Sequence, residues 1–190
     1  MSLAQSAPAM KVIQTSLPGV LILEPRVFGD ARGFFLESYN QREMAAAGIL
    51  EQFVQDNHSL SERHVLRGLH YQIGNPQGKL VRVVEGEVLD VAVDLRRSSP
   101  AFGKWYGLSL SGENKRILWI PPGLAHGFLV LSERAHVLYK ATDFYAASAE
   151  RTIAWNDPDL NVAWQLEGES PRLSSKDSRG QRFRDAETFP

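Results

Sequence analysis

The sequence predicts an all-β domain, a sandwich or closed barrel with a few short helices. Three observations carry this. Short apolar or aromatic runs recur along the chain, each bounded by Gly, Pro, Asn, Asp or Ser. Between Val88 and Leu95, residues Leu89, Val91, Val93 and Leu95 alternate with Val88, Asp90, Ala92 and Asp94, the period of two that belongs to strands. Only one segment carries helix caps.

In chain order, Val20 to Val27 is β-like and ends in a turn at Gly29-Asp30. Arg32 to Tyr39 is aromatic and extended. The helix follows, with Asn40 as N-cap, Glu43 three residues on, Met44 to Ala47 favouring helix and Gly48 closing it. Phe53 to Asn57 is extended again, and polar Ser59 to His64 reads as loop. Leu80 to Leu95 holds two strands hinged at Glu85-Gly86-Glu87. Phe102 to Leu110 and Arg116 to Pro121 read as a hairpin joined by Ser111-Gly112-Glu113-Asn114. Gly127 to Leu131 and Val137 to Tyr145 complete the sheet-forming region, with Ile153-Ala154-Trp155 as an edge. No repeat or linker divides the chain, so residues 1–190 read as one domain. Residues 1–10 are expected to be a leader, disordered or an expression remnant, and 165–190 a tail wrapping the barrel.

A chain of 190 residues can bury a proper core. Its net charge of −1 supplies no field to attract nucleic acid or an anionic membrane, so any bound anion must be held by a few placed arginines. With no cysteine, disulfides and thiolate metal sites are excluded, which fits a reducing cytoplasm. Met1 to Ala9 lacks the basic and apolar regions of a signal peptide, and no apolar run is long enough to span a bilayer. The expectation is a cytoplasmic protein.

The chemistry centres on Val65 to Gln72, which contains Arg67, Gly68 and His70, with Lys79 beyond a bend. The imidazole can take a proton near neutral pH, and the ammonium can hold charge beside the place the proton left. Pro121-Pro122-Gly123-Leu124-Ala125-His126 resembles the second cupin motif, P-x-G-x-x-H, and the Gly86 hinge looks like the end of the first. Where a metal cupin carries H-x-H, this chain reads His70-Tyr71-Gln72, which disfavours a metal site.

A closer resemblance runs from about Val20 to Asp177. Six runs occur in order: Gly29 to Phe35, Gln55 to Ser59, Arg67 to His70, Trp119-Ile120-Pro121 with His126-Gly127-Phe128, Tyr139 to Thr142, and Trp155-Asn156-Asp157-Pro158. Together they resemble the dTDP-4-dehydrorhamnose 3,5-epimerase family. The resemblance implies a cupin-type jelly-roll barrel, a homodimer, no metal or other cofactor, and a dTDP-linked 4-keto-6-deoxyhexose as substrate. The ketone at C4 of such a sugar makes the C3 and C5 hydrogens removable. An epimerase then needs a base, a group to stabilise the enolate oxygen and an acid on the other face.

A lone histidine is more often a bonded core residue, but the Arg67 to His70 context makes His70 the base. The resemblance gives Asp177 as the carboxylate pairing with it, Lys79 as the cation over the C4 oxygen, and Tyr139 as the acid. It gives His126 as a hydrogen-bond donor to the sugar, and Arg67 and Arg32 as diphosphate clamps, a role that suits a planar guanidinium. Glu37, Gln55 and Asn57, with Glu150 and Lys176, match positions that contact nucleotide or sugar, and the Arg32 to Glu37 segment would reach across to the partner subunit. His58, His64 and His136 read as structural or solvent-facing. Trp119, Trp155, Phe34 and Phe35 could stack on a base, with core packing the default for most. The function implied is inversion of C3 and C5. Its rivals are a relative acting at one centre, a metal-dependent cupin enzyme, and a non-catalytic sugar-binding cupin.

Overall fold

The computed structural model describes residues 10–190; the leader expected over residues 1–10 therefore falls, but for Met10, outside the described residues. Thirteen strands are present among these: β1 (Met10–Gln14), β2 (Leu21–Pro25), β3 (Val27–Asp30), β4 (Gly33–Leu36), β5 (Gln55–Glu62), β6 (Leu66–Gln72), β7 (Lys79–Glu85), β8 (Glu87–Asp94), β9 (Trp105–Ser111), β10 (Ile117–Ile120), β11 (Leu124–Val130), β12 (Arg134–Ala141) and β13 (Glu150–Thr152). One helix, α1 (Gln41–Ala46), interrupts them. Its cap is the one the sequence predicts: the Asn40 side chain accepts from the Arg42 N–H at 2.9 Å, and Gly48 closes the helix at φ +85°.

The strands form two antiparallel sheets that face each other, in orders β1-β2-β10-β7-β12-β5 and β13-β6-β11-β8-β9, with β3-β4 as a separate hairpin. From β9 to β13 the chain changes sheet at every connection, which is the jelly-roll arrangement. β8 shows why both faces of the second sheet must be covered. Val88 and Ala92 point between the sheets, among Val81, Leu118 and Phe128, while Leu89, Val91 and Val93 point outward. That outer face is closed by Ile153, Leu160, Trp164 and Ala186. On the far side of the first sheet, Met44 of α1 and Ile49 cover Leu21, Leu23, Leu80 and Trp119.

Two expectations are corrected here. Ser59 to His64 is not loop: β5 continues to Glu62, paired along its length with β12. Its inward residues are polar, so the apolar alternation that announces a strand is missing. The segments around Ser111 to Asn114 are not a hairpin either. β9 pairs with β8, whereas β10 pairs with β2 and β7 in the other sheet. The Asn114 side chain accepts from the N–H groups of Ser111 and Arg116, turning the chain between sheets instead of back along one. The edge expected at Ile153 lies slightly earlier, as β13 beside β6.

Candidate active site

Between the sheets, at the end where β6, β7, β11 and β12 converge, lies a polar cavity of about 400 Å³, within the size range of small-ligand sites. Two glycines make its floor possible. A Cβ on Gly68 would lie 2.5 Å from Gly127 Cα, and Gly68 has φ +137°. β6 and β11 thus approach more closely than any side chain permits, and His70 and His126 sit directly opposite each other in that pairing. At the start of β7 a Cβ on Gly78 would lie 2.5 Å from the Trp119 ring, so the strand passes flat under the indole before delivering Lys79 inward.

His70 is partly buried, and its Nε2 meets Asp177 Oδ1 at 2.5 Å. Asp177 lies behind the ring rather than in the cavity wall. Burial pushes its carboxyl up, yet the hydrogen bonds from His70, Ser174 and the Gly68 N–H outweigh this and hold it below the usual carboxylate range. An ionised carboxylate can only accept, so Nε2 carries the proton and Nδ1 the lone pair. For the ring the balance goes the other way. Burial, helped by the Lys176 and Lys79 charges, outweighs Asp177 and keeps the imidazole below its ordinary value, neutral at neutral pH. Asp177 by itself would raise the ring's proton affinity; desolvation reverses the net sign.

Lys79 is buried, with its ammonium pushed down to about 8 by desolvation, against the attraction of Asp90 and Glu150. It still carries its charge at neutral pH. Its Nζ lies 6.0 Å from the centre of the Tyr139 ring. Burial, then the nearby Glu150, raises the Tyr139 phenol, which therefore keeps its proton.

The other expected residues fall into two groups. Gln55, Asn57, Arg67, His126, Glu150 and Lys176 line the cavity with His70, Lys79 and Tyr139. Arg67 donates to Ser61 Oγ at 3.0 Å and forms no salt bridge among the described residues, leaving its charge available to an anion. Glu150 accepts from Lys176 at 2.7 Å and from the Tyr145 hydroxyl at 3.1 Å. Arg32 and Glu37 lie outside this cavity, Arg32 at the tip of the β3-β4 hairpin paired with Asp30 at 2.5 Å and Glu37 just beyond β4. Core packing suits Trp119 and Trp155 but fails for Phe34 and Phe35, which are 62% and 69% exposed on a hairpin that pairs with neither main sheet. His58 and His136 hydrogen-bond to each other at 2.8 Å, away from the cavity.

Sequence reasoning missed Asp90. It is fully buried and receives His126 Nε2 at 2.8 Å and 3.0 Å from its two oxygens, so any contact from that ring to a ligand goes through Nδ1. The signal was present: a carboxylate flanked by apolar residues in a strand covered on both faces must have a partner. Tyr145, Ser59 and Gln72, which also line the wall, carried no comparable mark. Among the described residues no cluster of three or more His, Cys, Asp and Glu could hold a metal ion, and no helix is long and apolar enough to cross a membrane.

A cavity so equipped can take a proton from one face of a bound molecule and return one to another, while a buried cation holds the charge between the two events. In an antiparallel jelly-roll barrel, this defines a cupin-type proton-transfer enzyme. The chain belongs to the dTDP-4-dehydrorhamnose 3,5-epimerase family, whose model matches residues 14–185. It is 61% identical over 182 residues to a Pseudomonas aeruginosa protein named dTDP-4-dehydrorhamnose 3,5-epimerase, covering 95% of this chain and 100% of that one. Its fold matches a dTDP-6-deoxy-D-glucose-3,5-epimerase from Legionella pneumophila in complex with dTDP-4-keto-L-rhamnose, with TM-score 0.90, 50% identity and coverage of 94% and 95%. A 3'-monoepimerase from Streptomyces bikiniensis in complex with dTDP-quinovose is also similar, at TM-score 0.83, 32% identity and coverage of 90% and 86%.

Proposed function

We propose that this protein is a dTDP-4-dehydrorhamnose 3,5-epimerase, converting dTDP-4-dehydro-6-deoxy-D-glucose to dTDP-4-dehydro-L-rhamnose. The observation that carries the reading is one cavity lined by the His70 imidazole, the Tyr139 phenol and the buried Lys79 ammonium, the first held neutral and the second protonated by burial. His70 Nδ1 removes the proton from the carbon beside the ketone, and the electron pair moves onto the C4 oxygen. Lys79 stabilises the enolate, an interaction much stronger in a dry cavity than in water. Tyr139 delivers a proton to the opposite face. Solvent then takes the proton from His70 and returns one to Tyr139, and the same cycle at the second carbon completes the product. Asp177 holds the imidazole tautomer. Arg67 holds the diphosphate, with Gln55, Asn57, His126, Glu150 and Lys176 contacting sugar or nucleotide. Arg32 and Glu37 act on the site of the partner subunit in a cytoplasmic homodimer.

Two-centre inversion is favoured over single-centre inversion by identity: 61% to the Pseudomonas aeruginosa protein against 32% to the 3'-monoepimerase. The test is proton exchange in heavy water with the 4-keto sugar nucleotide, followed by NMR. Deuterium should enter both C3 and C5, and His70→Asn should reduce exchange at least 100-fold, a general-base contribution being on the order of 10²–10⁴. No incorporation by the wild type, or incorporation at one carbon only, overturns the assignment.

A further inference from the structure

Asp177 has two carboxylate oxygens, and only one of them meets the proposed base. Oδ1 accepts from His70 Nε2 at 2.5 Å and from the Gly68 N–H at 3.3 Å. Oδ2 accepts from the Ser174 hydroxyl at 2.6 Å. The same hydroxyl oxygen accepts from the Asp177 backbone N–H at 3.1 Å, so one side chain grips both ends of the residue three positions on. Carboxylate rotation about its last torsion is soft. Ser174 opposes that rotation from the side away from His70.

We propose that Ser174 is a positioning residue for proton transfer: its hydroxyl fixes the rotation of the Asp177 carboxylate, and through it the orientation and tautomer of the His70 ring. This rests on the assignment of His70 as the base. The chain Ser174–Asp177–His70 runs from the exposed tail to the cavity wall, and Ser174 takes no part in an apolar cluster. Its removal therefore disturbs the pair without opening the core.

A purely local role is the competing account. Ser174 stands three residues before Asp177, and the hydroxyl's acceptance of the Asp177 N–H would stabilise the turn whatever the carboxylate does. Three substitutions separate the two. Ser174→Ala removes both bonds. Ser174→Thr keeps both. Ser174→Asp can still accept the N–H, but it cannot donate and sets a second negative charge against Oδ2. The other charged or titratable groups around His70 are Lys79, Lys176, Glu150, His126, Arg67 and the phenols of Tyr71, Tyr139 and Tyr145, and all are left in place.

The experiment measures C3 and C5 exchange, steady-state constants and thermal midpoint for the three variants beside the wild type. Ser174→Ala should lower kcat on the order of ten- to a hundredfold, the scale of a misplaced catalytic group, with KM changed less than about threefold. Ser174→Thr should recover most of it. Ser174→Asp should lose at least as much as Ser174→Ala, and its acid limb should move to higher pH, because the added carboxylate favours the charged imidazole. Wild-type kcat in Ser174→Ala or Ser174→Asp overturns the inference, as does loss that appears only as a lower thermal midpoint. A wild type that exchanges nothing fails the assignment of His70 instead, so the two failures are distinguishable.

Discussion

At the scale of single residues, stability and chemistry pull in opposite directions at Lys79. Moving its ammonium from the ordinary 10.5 to about 8 costs the folded protein roughly 3 kcal/mol at neutral pH. No salt bridge among the described residues offsets this; Asp90 and Glu150 act only at a distance. Such a group makes sense where a negative charge is to arrive. The pH dependence of kcat/KM follows from the two site groups. The base works neutral, so activity falls as pH drops through the His70 pKa, which lies below the ordinary imidazole value. The ammonium works charged, so activity falls as pH rises through about 8. The expected profile is a bell with its alkaline limb near 8, well before any free lysine or the raised Tyr139 phenol would titrate. A profile flat to pH 10 would remove Lys79 from the mechanism. His70 was legible because a short, ordered motif names it, whereas Lys79, outside any motif, was reached through the family resemblance. Asp90 was not legible, since the His126 it holds is 36 positions away. Ser174 was not either: the Asp177 it grips is only three positions on, but that carboxylate reaches His70 across 107 positions.

At the scale of elements, the alternation of β8 was readable because Asp90 and Asp94 share the face of Val88 and Ala92, while Leu89, Val91 and Val93 make the other face wholly aliphatic. β5 was misread because it lines the cavity. Gln55, Asn57 and Ser59 face inward where apolar residues would normally sit, so the function erased the pattern. Helix α1 was legible through its caps, which are local. The β9 to β10 turn was not, because a turn's residues do not say which sheet the next strand will join. The β6-β11 contact makes a sharper case. A Cβ on Gly127 would stand 2.8 Å from Arg67 O and 3.1 Å from Gly68 Cα, both of them backbone atoms that cannot swing away. Gly127→Ala must therefore part the strands that carry His70 and His126. Overpacking of this kind costs roughly 1–3 kcal/mol, which in a chain of this length lowers the thermal midpoint by roughly 2–12 °C. Calorimetry together with the exchange assay should find both stability and activity reduced; an unchanged midpoint would mean that β6 and β11 do not pack this tightly.

At the scale of the whole molecule, the jelly-roll topology gathers at one cavity groups spread over 122 positions of sequence, from Gln55 to Lys176. The last of them, Lys176, comes from the tail. Val65 bridges to Arg172, Ile153 to Gln181 and Arg96 to Phe189, and the Asp157 carboxylate accepts from the Phe183 N–H at 2.9 Å and from Arg182 at 3.0 Å. Those anchors hold the segment that presents Lys176 and Asp177. Ala186, with the partly buried Leu173, Phe183 and Phe189, packs on the outer face of the second sheet as well, so the tail docks through apolar contacts besides polar and backbone ones. The β3-β4 hairpin pairs with neither main sheet and exposes Phe28, Phe34 and Phe35, and the proposal for Arg32 and Glu37 requires it to serve a second copy. A two-fold dimer makes the relation reciprocal, each subunit lending its hairpin to the other. Complementation tests this directly. His70→Asn and Arg32→Ala homodimers should each be impaired, the first in chemistry and the second in substrate binding. In a randomly reassorted mixture half the molecules pair one of each. In these, the His70 of the Arg32→Ala subunit meets an intact Arg32 from its neighbour. About a quarter of all sites should then regain full activity. If the hairpin served its own subunit instead, no mixed site would hold both residues intact, and the mixture would be no more active than the average of its parents.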